Sequence, residues 1–113
     1  MPTRIPGKLT PAQYRVAMHI PLADNNGEDF DPIVIGGIEA SILAIYGALT
    51  VTEACGVWQD GDRTYSDVQK IYTVDVNREN DIHHMRRLAD VYRDTLGQQC
   101  IYVTVQTIHT YLV

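Results

Sequence analysis

The stretch that decides the fold is LTVTEACGVWQDGDRTYSDVQKIYTVDV, residues 49–76. Its two ends, Leu49–Trp58 and Tyr65–Val76, are rich in β-branched and aromatic residues, which favour strands. The segment between them carries an Asp-Gly pair, which is a turn signal, and the turn is predicted around residues 61–64. The chain is therefore predicted to have a β-hairpin at its centre.

One strand and one helix are predicted on the N-terminal side of this hairpin. Tyr14–Leu22 has the composition of a strand. Asp31 followed by Pro32 offers an N-cap and a first helical residue. The β-branched run and the glycine pair that come next weaken this start. The helix is therefore expected to begin properly only near Ile38 and to stop at Gly47.

A helix and a strand are also predicted on the C-terminal side. Glu79–Leu96 has the clearest helical period, with Asn77 as a possible cap and Gly97 as the stop. Five of its residues line one apolar face: Ile82, Met85, Ala89, Tyr92 and Leu96. Cys100–Gln106 is the last predicted strand, before an apolar tail.

The predicted order of elements is β-α-β-β-α-β, which is the split pattern of ferredoxin-like α+β folds. One antiparallel sheet would carry both helices on one face, and its other face would stay open unless an oligomer covers it. Residues 1–13 are expected to form a flexible arm, and residues 14–113 are expected to form a single domain.

Composition restricts the possible functions. The chain has 113 residues, of which 45% are hydrophobic, and a net charge of −5. One thin core is expected at this size, so oligomerisation would add burial. The acidic balance argues against a nucleic-acid partner. Cys55 and Cys100 lack metal-type spacing and are interpreted as reduced, inward-facing strand residues of a cytoplasmic protein without a secretory signal.

The run from Ile33 to Val51 is long enough to cross a membrane, and its only charge is Glu39. It also contains three glycines and has no basic residues close by, so a buried helix running into a strand is favoured over a membrane span. No membrane partner is therefore predicted.

No metal or nucleotide motif stands out, so neither a metal ion nor a cofactor is predicted. His83 and His84 are adjacent on a helix and cannot share one face for zinc binding. His19 and His109 are isolated in the sequence and are interpreted as structural residues.

The hairpin carries the residues of most chemical interest. Alternation along the strand places Asp67 and Gln69 on one face of the sheet. The predicted turn brings Trp58 close to Gln69, and Gln106 lies near the end of the last strand. An aromatic plane beside amides can hold a purine by stacking and hydrogen bonding. The alternative is an aromatic cap beside solvated amides, and spacing alone favours this alternative.

Several short blocks stand in a characteristic order: Tyr46-Gly47, Gly56-Val57-Trp58, Gln69-Lys70, Leu88-Ala89, Cys100-Ile101-Tyr102-Val103, Gln106-Thr107 and His109-Thr110. On these blocks the sequence resembles the phage S-adenosylmethionine (SAM) lyases, which were formerly described as SAM hydrolases. The resemblance spans residues 14–113.

The resemblance implies a PII-like homotrimer that holds an adenosine-containing ligand, SAM or a SAM conjugate, between neighbouring subunits. The lyases use a tyrosine hydroxyl and a glutamate as their catalytic pair, and Trp58 and Gln69 occupy those positions here. Gln106, the backbone around Lys70, and Tyr65 are the other expected ligand contacts. The implied reaction needs no cofactor, because the substrate carboxylate displaces the thioether to give homoserine lactone and methylthioadenosine.

Gln69 departs from the lyase pattern because it carries no charge. At an effective dielectric near 20, losing one unit charge at about 4 Å removes roughly 4 kcal/mol of attraction, so slow turnover or none is expected. Three explanations are open: an engineered glutamate-to-glutamine variant that traps substrate, a natural protein that binds without cleaving, or Asp67 acting in the place of the glutamate.

Trp58 in place of the tyrosine indicates a larger pocket that is richer in stacking surface. Such a pocket would suit a SAM–nucleotide conjugate, such as the SAM-AMP signal of some CRISPR defence systems. A phage or mobile-element origin and an anti-defence or signal-degrading role are further implications of the resemblance. The alternative function is a non-catalytic trimeric sponge that sequesters a nucleotide-derived signal.

Overall fold

A computed structural model describes residues 13–111, which contain six helices and strands. In chain order they are β1 (Tyr14–Pro21), α1 (Pro32–Tyr46), β2 (Thr50–Asp60), β3 (Arg63–Val76), α2 (Glu79–Thr95) and β4 (Tyr102–Thr107). The strands form one sheet in the order β2-β3-β1-β4, and every neighbouring pair is antiparallel. This is the predicted ferredoxin-like α+β fold, which is confirmed.

The hydrophobic core lies between the two helices and one face of the sheet. β1 contributes Val16, Met18 and Ile20, and β3 contributes alternate residues from Tyr72 onward. These residues alternate along their strands, so all of them point to the same face. The predicted apolar face of α2 is confirmed, because Met85, Ala89, Tyr92 and Leu96 are buried and Ile82 is half-buried.

α1 begins at Pro32, earlier than the start predicted near Ile38. The carboxylate of Asp31 accepts a hydrogen bond from the backbone N–H of Ile33 at 2.9 Å, so the helix has its cap. Burial of Ile35, at 5% exposure, outweighs the weak helix propensity of the first turns. The helix ends as predicted at Gly47, whose φ is +76°.

α2 starts at Glu79 as predicted, but Asn77 is not its cap. The N-cap position is Arg78, whose side chain makes no capping hydrogen bond. Glu79 and Asp81 in the first turn stabilise this end of the helix, because negative charge is favoured near a helix N-terminus.

The hairpin turn is tighter than predicted, and this changes the register of the two strands. Asp60 pairs with Arg63, which leaves only two residues in the loop. Gly61 has a φ of +60° at the first of these positions, where a type II′ turn favours glycine. Trp58 therefore pairs with Tyr65, and the prediction that Trp58 lies beside Gln69 is wrong.

The outer part of the hairpin is not covered by either helix. No residue of β2 is buried, and in β3 the first fully buried residue is Tyr72. Cys55 and Cys100 are both exposed, so their assignment as inward-facing residues is wrong. Cys55 lies on this uncovered part of β2, and Cys100 precedes β4.

The backbone of Gln13, just before β1, is hydrogen-bonded to two other segments of the chain. Gln13 donates a backbone hydrogen bond to Val76 and accepts one from Ile108, both at 2.9 Å. The rest of the predicted arm, residues 1–12, and the last two residues of the tail lie outside the described residues. Residues 33–51 form α1 and the start of β2. Within 13–111 no helix is both long and apolar enough to span a membrane.

Two neighbouring residues of α1 provide a test of this packing. Ile42 is fully buried, whereas Leu43 is 48% exposed. We expect Ile42→Ala to lower the free energy of unfolding by about 2–5 kcal/mol, because it leaves a cavity in the core. Leu43→Ala is the matched control, with an expected cost under about 1 kcal/mol. Chemical denaturation at one protein concentration measures both, and equal losses would contradict the assignment of the core.

Candidate functional site

The sheet face opposite the two helices holds nearly all the predicted site residues. We call it the open face. It is formed by Arg15, Ala17, His19 and Pro21 of β1, by the even-numbered residues of β2 from Thr50 to Trp58, by the odd-numbered residues of β3 from Tyr65 to Asp75, and by Tyr102, Thr104 and Gln106 of β4. None of these residues is buried, although many are half-buried. Trp58, Tyr65, Asp67, Gln69 and Gln106 all belong to this face.

The side chains of Asp67 and Gln69 both reach over Gly56 of the adjacent strand. Gly56 pairs with Asp67, and Ala54 pairs with Gln69. A Cβ at position 56 would lie 2.8 Å from Nε2 of Gln69 and 2.9 Å from Oδ1 of Asp67. The two side chains therefore occupy the space that the glycine leaves. We call Asp67 and Gln69 the 67/69 pair, which places an amide donor beside a carboxylate acceptor.

His19 also lies at this candidate site, although its isolation in the sequence favoured a structural role. Its Nδ1 lies 2.7 Å from Oε1 of Gln69, and its ring meets the ring of Tyr102 edge-on at 5.0 Å. The β-α-β-β-α-β pattern already places the first strand beside the third in the sheet. The missing information was the register, which pairs Pro21 with Gln69 and so leaves His19 one step along the same face.

Trp58 and Tyr65 form a separate aromatic pair at the tip of the hairpin. Their rings are stacked, with centroids 5.4 Å apart and planes inclined by 17°. Trp58 is 50% exposed and Tyr65 is 37% exposed, so part of the stack faces solvent. Gln69 follows Tyr65 by four positions, which is ~13 Å along the strand. The stack thus lies on the same face as the 67/69 pair, about 7 Å along the strand from Asp67 and ~13 Å from Gln69.

Gln106 lies at the opposite end of the open face. It pairs with Arg15, whereas Gln69 pairs with Pro21, six residues away on β1. That separation is ~20 Å along the strands. Beside Gln106, Arg15 makes a bidentate ion pair with Asp75, with N–O distances of 2.9 and 3.2 Å. The hydrogen bonds and charge of Asp75 raise the pKa of Arg15. One chain therefore does not bring Gln106 and Gln69 together.

The side chain of Lys70 lies on the helix side of the sheet, away from the open face. Its Nζ is 3.8 Å from Oε2 of Glu39 on α1. Tyr72 donates a hydrogen bond to the same carboxylate oxygen at 3.4 Å, and burial followed by the charge of Glu39 raises the pKa of this tyrosine. The backbone of Lys70 is paired with Ile20 on one side and Glu53 on the other. This pairing does not favour the expected backbone contact with adenine.

Tyr46, from the first block of the resemblance, also lies away from the open face. Its hydroxyl donates to the backbone carbonyl of Asp81 at 3.0 Å. Burial, with a smaller contribution from the charge of Asp81, raises the pKa of Tyr46 to about 12. The residue therefore ties the end of α1 to the start of α2.

The two adjacent histidines of α2, His83 and His84, do not belong to a metal site among the described residues. Residues 13–111 contain no group of three or more His, Cys, Asp or Glu side chains placed to hold a metal ion. His83 lines a surface groove of about 300 Å³ with Arg86, Arg87 and Asp90 on α2. His84 meets Tyr46 edge-on at 6.3 Å, so the two adjacent histidines do face different surroundings.

Comparison with solved structures connects this architecture to known proteins. A phage SAM lyase in complex with S-methyl-5'-thioadenosine superposes with a TM-score of 0.66, over 98% of this chain and 95% of that chain, at 11% identity. An apo phage SAM lyase gives a TM-score of 0.68, over 97% and 94% of the two chains, at 13% identity. This is the fold of a phage SAM lyase.

The likeness to the phage SAM lyases covers nearly the whole chain, so the resemblance seen in the sequence blocks is confirmed at the level of the fold. No family model and no curated protein matches the chain. The shared architecture extends from β1 to β4, and it includes the hairpin that carries the 67/69 pair.

The contact over Gly56 can be tested by filling the space. We expect Gly56→Ala to displace the ends of Gln69 and Asp67, because an added Cβ would stand under 3 Å from both. The cost in stability should be small, since both side chains are flexible and alanine suits a strand at least as well as glycine. The NMR resonances of the Gln69 side-chain amide report the displacement.

Gly37→Ala is the matched control for this substitution, since nothing lies within 4 Å of its added Cβ. It should leave the Gln69 amide resonances unchanged. If Gly56→Ala also left them unchanged, the described contact over Gly56 would be incorrect.

Proposed function

We propose that the protein binds SAM or a SAM–nucleotide conjugate on the open face and cleaves it to a methylthioadenosine product and homoserine lactone. The observation that carries this proposal is the 67/69 pair over Gly56, on the uncovered sheet face of a chain with the SAM lyase fold. The lyase in the first comparison was solved with methylthioadenosine, the product expected from such a reaction.

The reaction requires the protein to position the substrate, and it requires few reactive groups from the protein. A carboxylate oxygen of the methionyl group attacks the γ-carbon of the same group. The bond between this carbon and sulfur breaks, and its electron pair stays on sulfur. The positive sulfonium becomes a neutral thioether, and the carboxylate becomes the lactone ester. No water, proton donor or covalent nucleophile takes part. The protein contributes by holding the substrate in the conformation that brings the two ends together.

Asp67 has the charge that this substrate needs. SAM carries positive charge on both its sulfonium and its ammonium group, and Gln69 is neutral. The carboxylate of Asp67 lies beside the Gln69 amide over Gly56 and is half-buried, so its attraction for a cation is less screened than at a fully exposed site. In the proposed arrangement the cationic part of the substrate lies over Gly56, and the purine stacks against Trp58 and Tyr65.

The proposed assembly is a homotrimer in which neighbouring copies complete each site. Gln106 lies ~20 Å from Gln69 along the strands of one chain, so both can contact one ligand only if Gln106 comes from another copy. The outer hairpin and the open face, which have no covering element among residues 13–111, supply surface for such an interface. The small core of a 113-residue chain gives a further reason for assembly.

A non-catalytic binder is the second candidate function, and the environment of Gln69 favours it specifically. Gln69 is neutral and its carbonyl oxygen is already paired with His19 at 2.7 Å. Such a site can bind a ligand by hydrogen bonds without promoting its cleavage. As a trimeric sponge, the protein would sequester a nucleotide-derived signal and release it intact.

The biological role proposed for either function is removal of SAM or a SAM-derived signal such as SAM-AMP. A phage or mobile-element protein that acts against bacterial defence in the cytoplasm of the host would use either cleavage or sequestration for this purpose. The phage origin of the compared lyases supports this role.

The direct test is to incubate the protein and its Gln69→Glu variant with SAM and, separately, with SAM-AMP. We expect the unmodified protein to form methylthioadenosine slowly from SAM, and the corresponding methylthioadenosine–nucleotide product slowly from SAM-AMP. Gln69→Glu should raise kcat/KM at least about tenfold, because a second carboxylate attracts the ammonium group, which keeps its charge in the transition state. Mass spectrometry of the products measures both rates.

Asp67→Asn is the matched control in this assay, because it removes charge at nearly constant shape. Compared with the unmodified protein, this variant should cleave SAM more slowly. It should also bind SAM more weakly, with a smaller loss of methylthioadenosine binding. Tight binding with intact recovery of the ligand from every variant would favour the sponge. Neither binding nor cleavage of either substrate by any form would overturn the proposal.

The shared site makes a separate prediction about mixed oligomers. Gln69→Ala and Gln106→Ala should each abolish binding of S-adenosylhomocysteine, because each removes a contact from every site. Unfolding and refolding an equal mixture should restore about a quarter of the sites in a cyclic trimer, since some sites then receive both glutamines. Calorimetry measures the recovered sites.

The control mixture combines Gln69→Ala with Asp67→Ala, whose positions belong to the same copy. No site in this mixture regains the intact 67/69 pair, so no binding should return. Recovery equal in both mixtures, or a monomer by light scattering, would contradict a site that is shared between copies.

A further inference from the structure

His19 contacts the side-chain amide of Gln69 on the open face. A carbonyl oxygen only accepts hydrogen bonds, so the 2.7 Å contact between Nδ1 of His19 and Oε1 of Gln69 requires Nδ1 to carry a proton and donate it. This contact also fixes the direction of the amide nitrogen, Nε2. Nε2 of Gln69 points toward Gly56, 2.8 Å from where a Cβ would stand.

The histidine ring is itself held in place. Tyr102 on β4 meets it edge-on, with centroids 5.0 Å apart and planes inclined by 73°. His19 is half-buried in β1, between the two strands that carry Gln69 and Tyr102. A ring held by Tyr102 can fix the orientation of the amide that it contacts on its other side.

We propose that His19 is a positioning residue that turns the NH₂ group of Gln69 toward the ligand, so that the 67/69 pair binds an α-amino-acid end. The Gln69 amide donates to the ligand carboxylate, and the Asp67 carboxylate accepts from the ligand ammonium group. This inference rests on the proposed function and assigns the methionyl end of the ligand to Gly56. Neither the sequence pattern nor a lone amide would select this orientation, since a free glutamine presents either end.

The orientation also affects the chemistry. A carboxylate that accepts a hydrogen bond from Gln69 is held in place but is less nucleophilic, because the bond stabilises its negative charge. A glutamate at position 69 cannot donate in this way when it is ionised. The His19–Gln69 contact therefore gives a physical reason for firm binding with slow cleavage.

The test compares two ligands that differ in the amino-acid end. S-adenosylhomocysteine has this end and, lacking a sulfonium, does not undergo the displacement; methylthioadenosine has no amino-acid end. We expect His19→Phe, which keeps a ring beside Tyr102 but loses the donor, to weaken S-adenosylhomocysteine binding about tenfold. Methylthioadenosine binding should change less than about twofold. His19→Asn, which places an N–H near the position of Nδ1, should restore most of the affinity.

Calorimetry measures the four variant–ligand affinities beside those of the unmodified protein, and the melting temperature of each variant confirms its folding. An unchanged ratio of the two affinities in His19→Phe would overturn the positioning role and leave the proposed function standing. Equal loss of both ligands in His19→Phe and His19→Asn would also overturn it, because a merely structural residue has that effect. If the unmodified protein bound neither ligand, the proposed function itself would fail.

Discussion

The site depends on the double pairing of β3, which hydrogen-bonds to β1 along one edge and to β2 along the other. This pairing places His19 on one side of Gln69 and Gly56 on the other side. It also separates two kinds of side chain, since alternate residues of β3 enter the core and the residues between them line the open face. The same strand therefore stabilises the fold and carries the 67/69 pair.

Hydrophobic periodicity was enough to predict the elements and their order, because α2 and the paired strands each bury one regular face. It did not predict the register. A two-residue turn at Gly61 shifts Trp58 away from Gln69, and a single Asp-Gly signal does not specify the loop length. The start of α1 was missed for another reason: the Asp31 cap and burial of Ile35 outweigh a poor local propensity. His19 was missed because its partner lies fifty residues away in the chain.

The helices cover only part of the sheet, and the remaining surface has a particular character. The open face carries an ion pair and an amide at one end and a stacked aromatic pair at the other, with the 67/69 pair beside His19 between them. Its half-buried polar groups suit the recognition of a ligand with both charged and aromatic parts. Gln69 and Gln106 lie ~20 Å apart along the strands of one chain, so the proposed site, which uses both residues, requires a second copy. In the proposed function, the neutral amide of Gln69, whose Oε1 lies 2.7 Å from Nδ1 of His19, accounts for ligand binding with slow cleavage.

The most direct test of this account is a crystal structure of the protein grown with methylthioadenosine. The account predicts the purine against the Trp58–Tyr65 stack, the thioether end directed toward Gly56, and Gln106 of a second copy in contact with the ligand. Ligand bound on the helix side of the sheet, or enclosed by one copy alone, would contradict it.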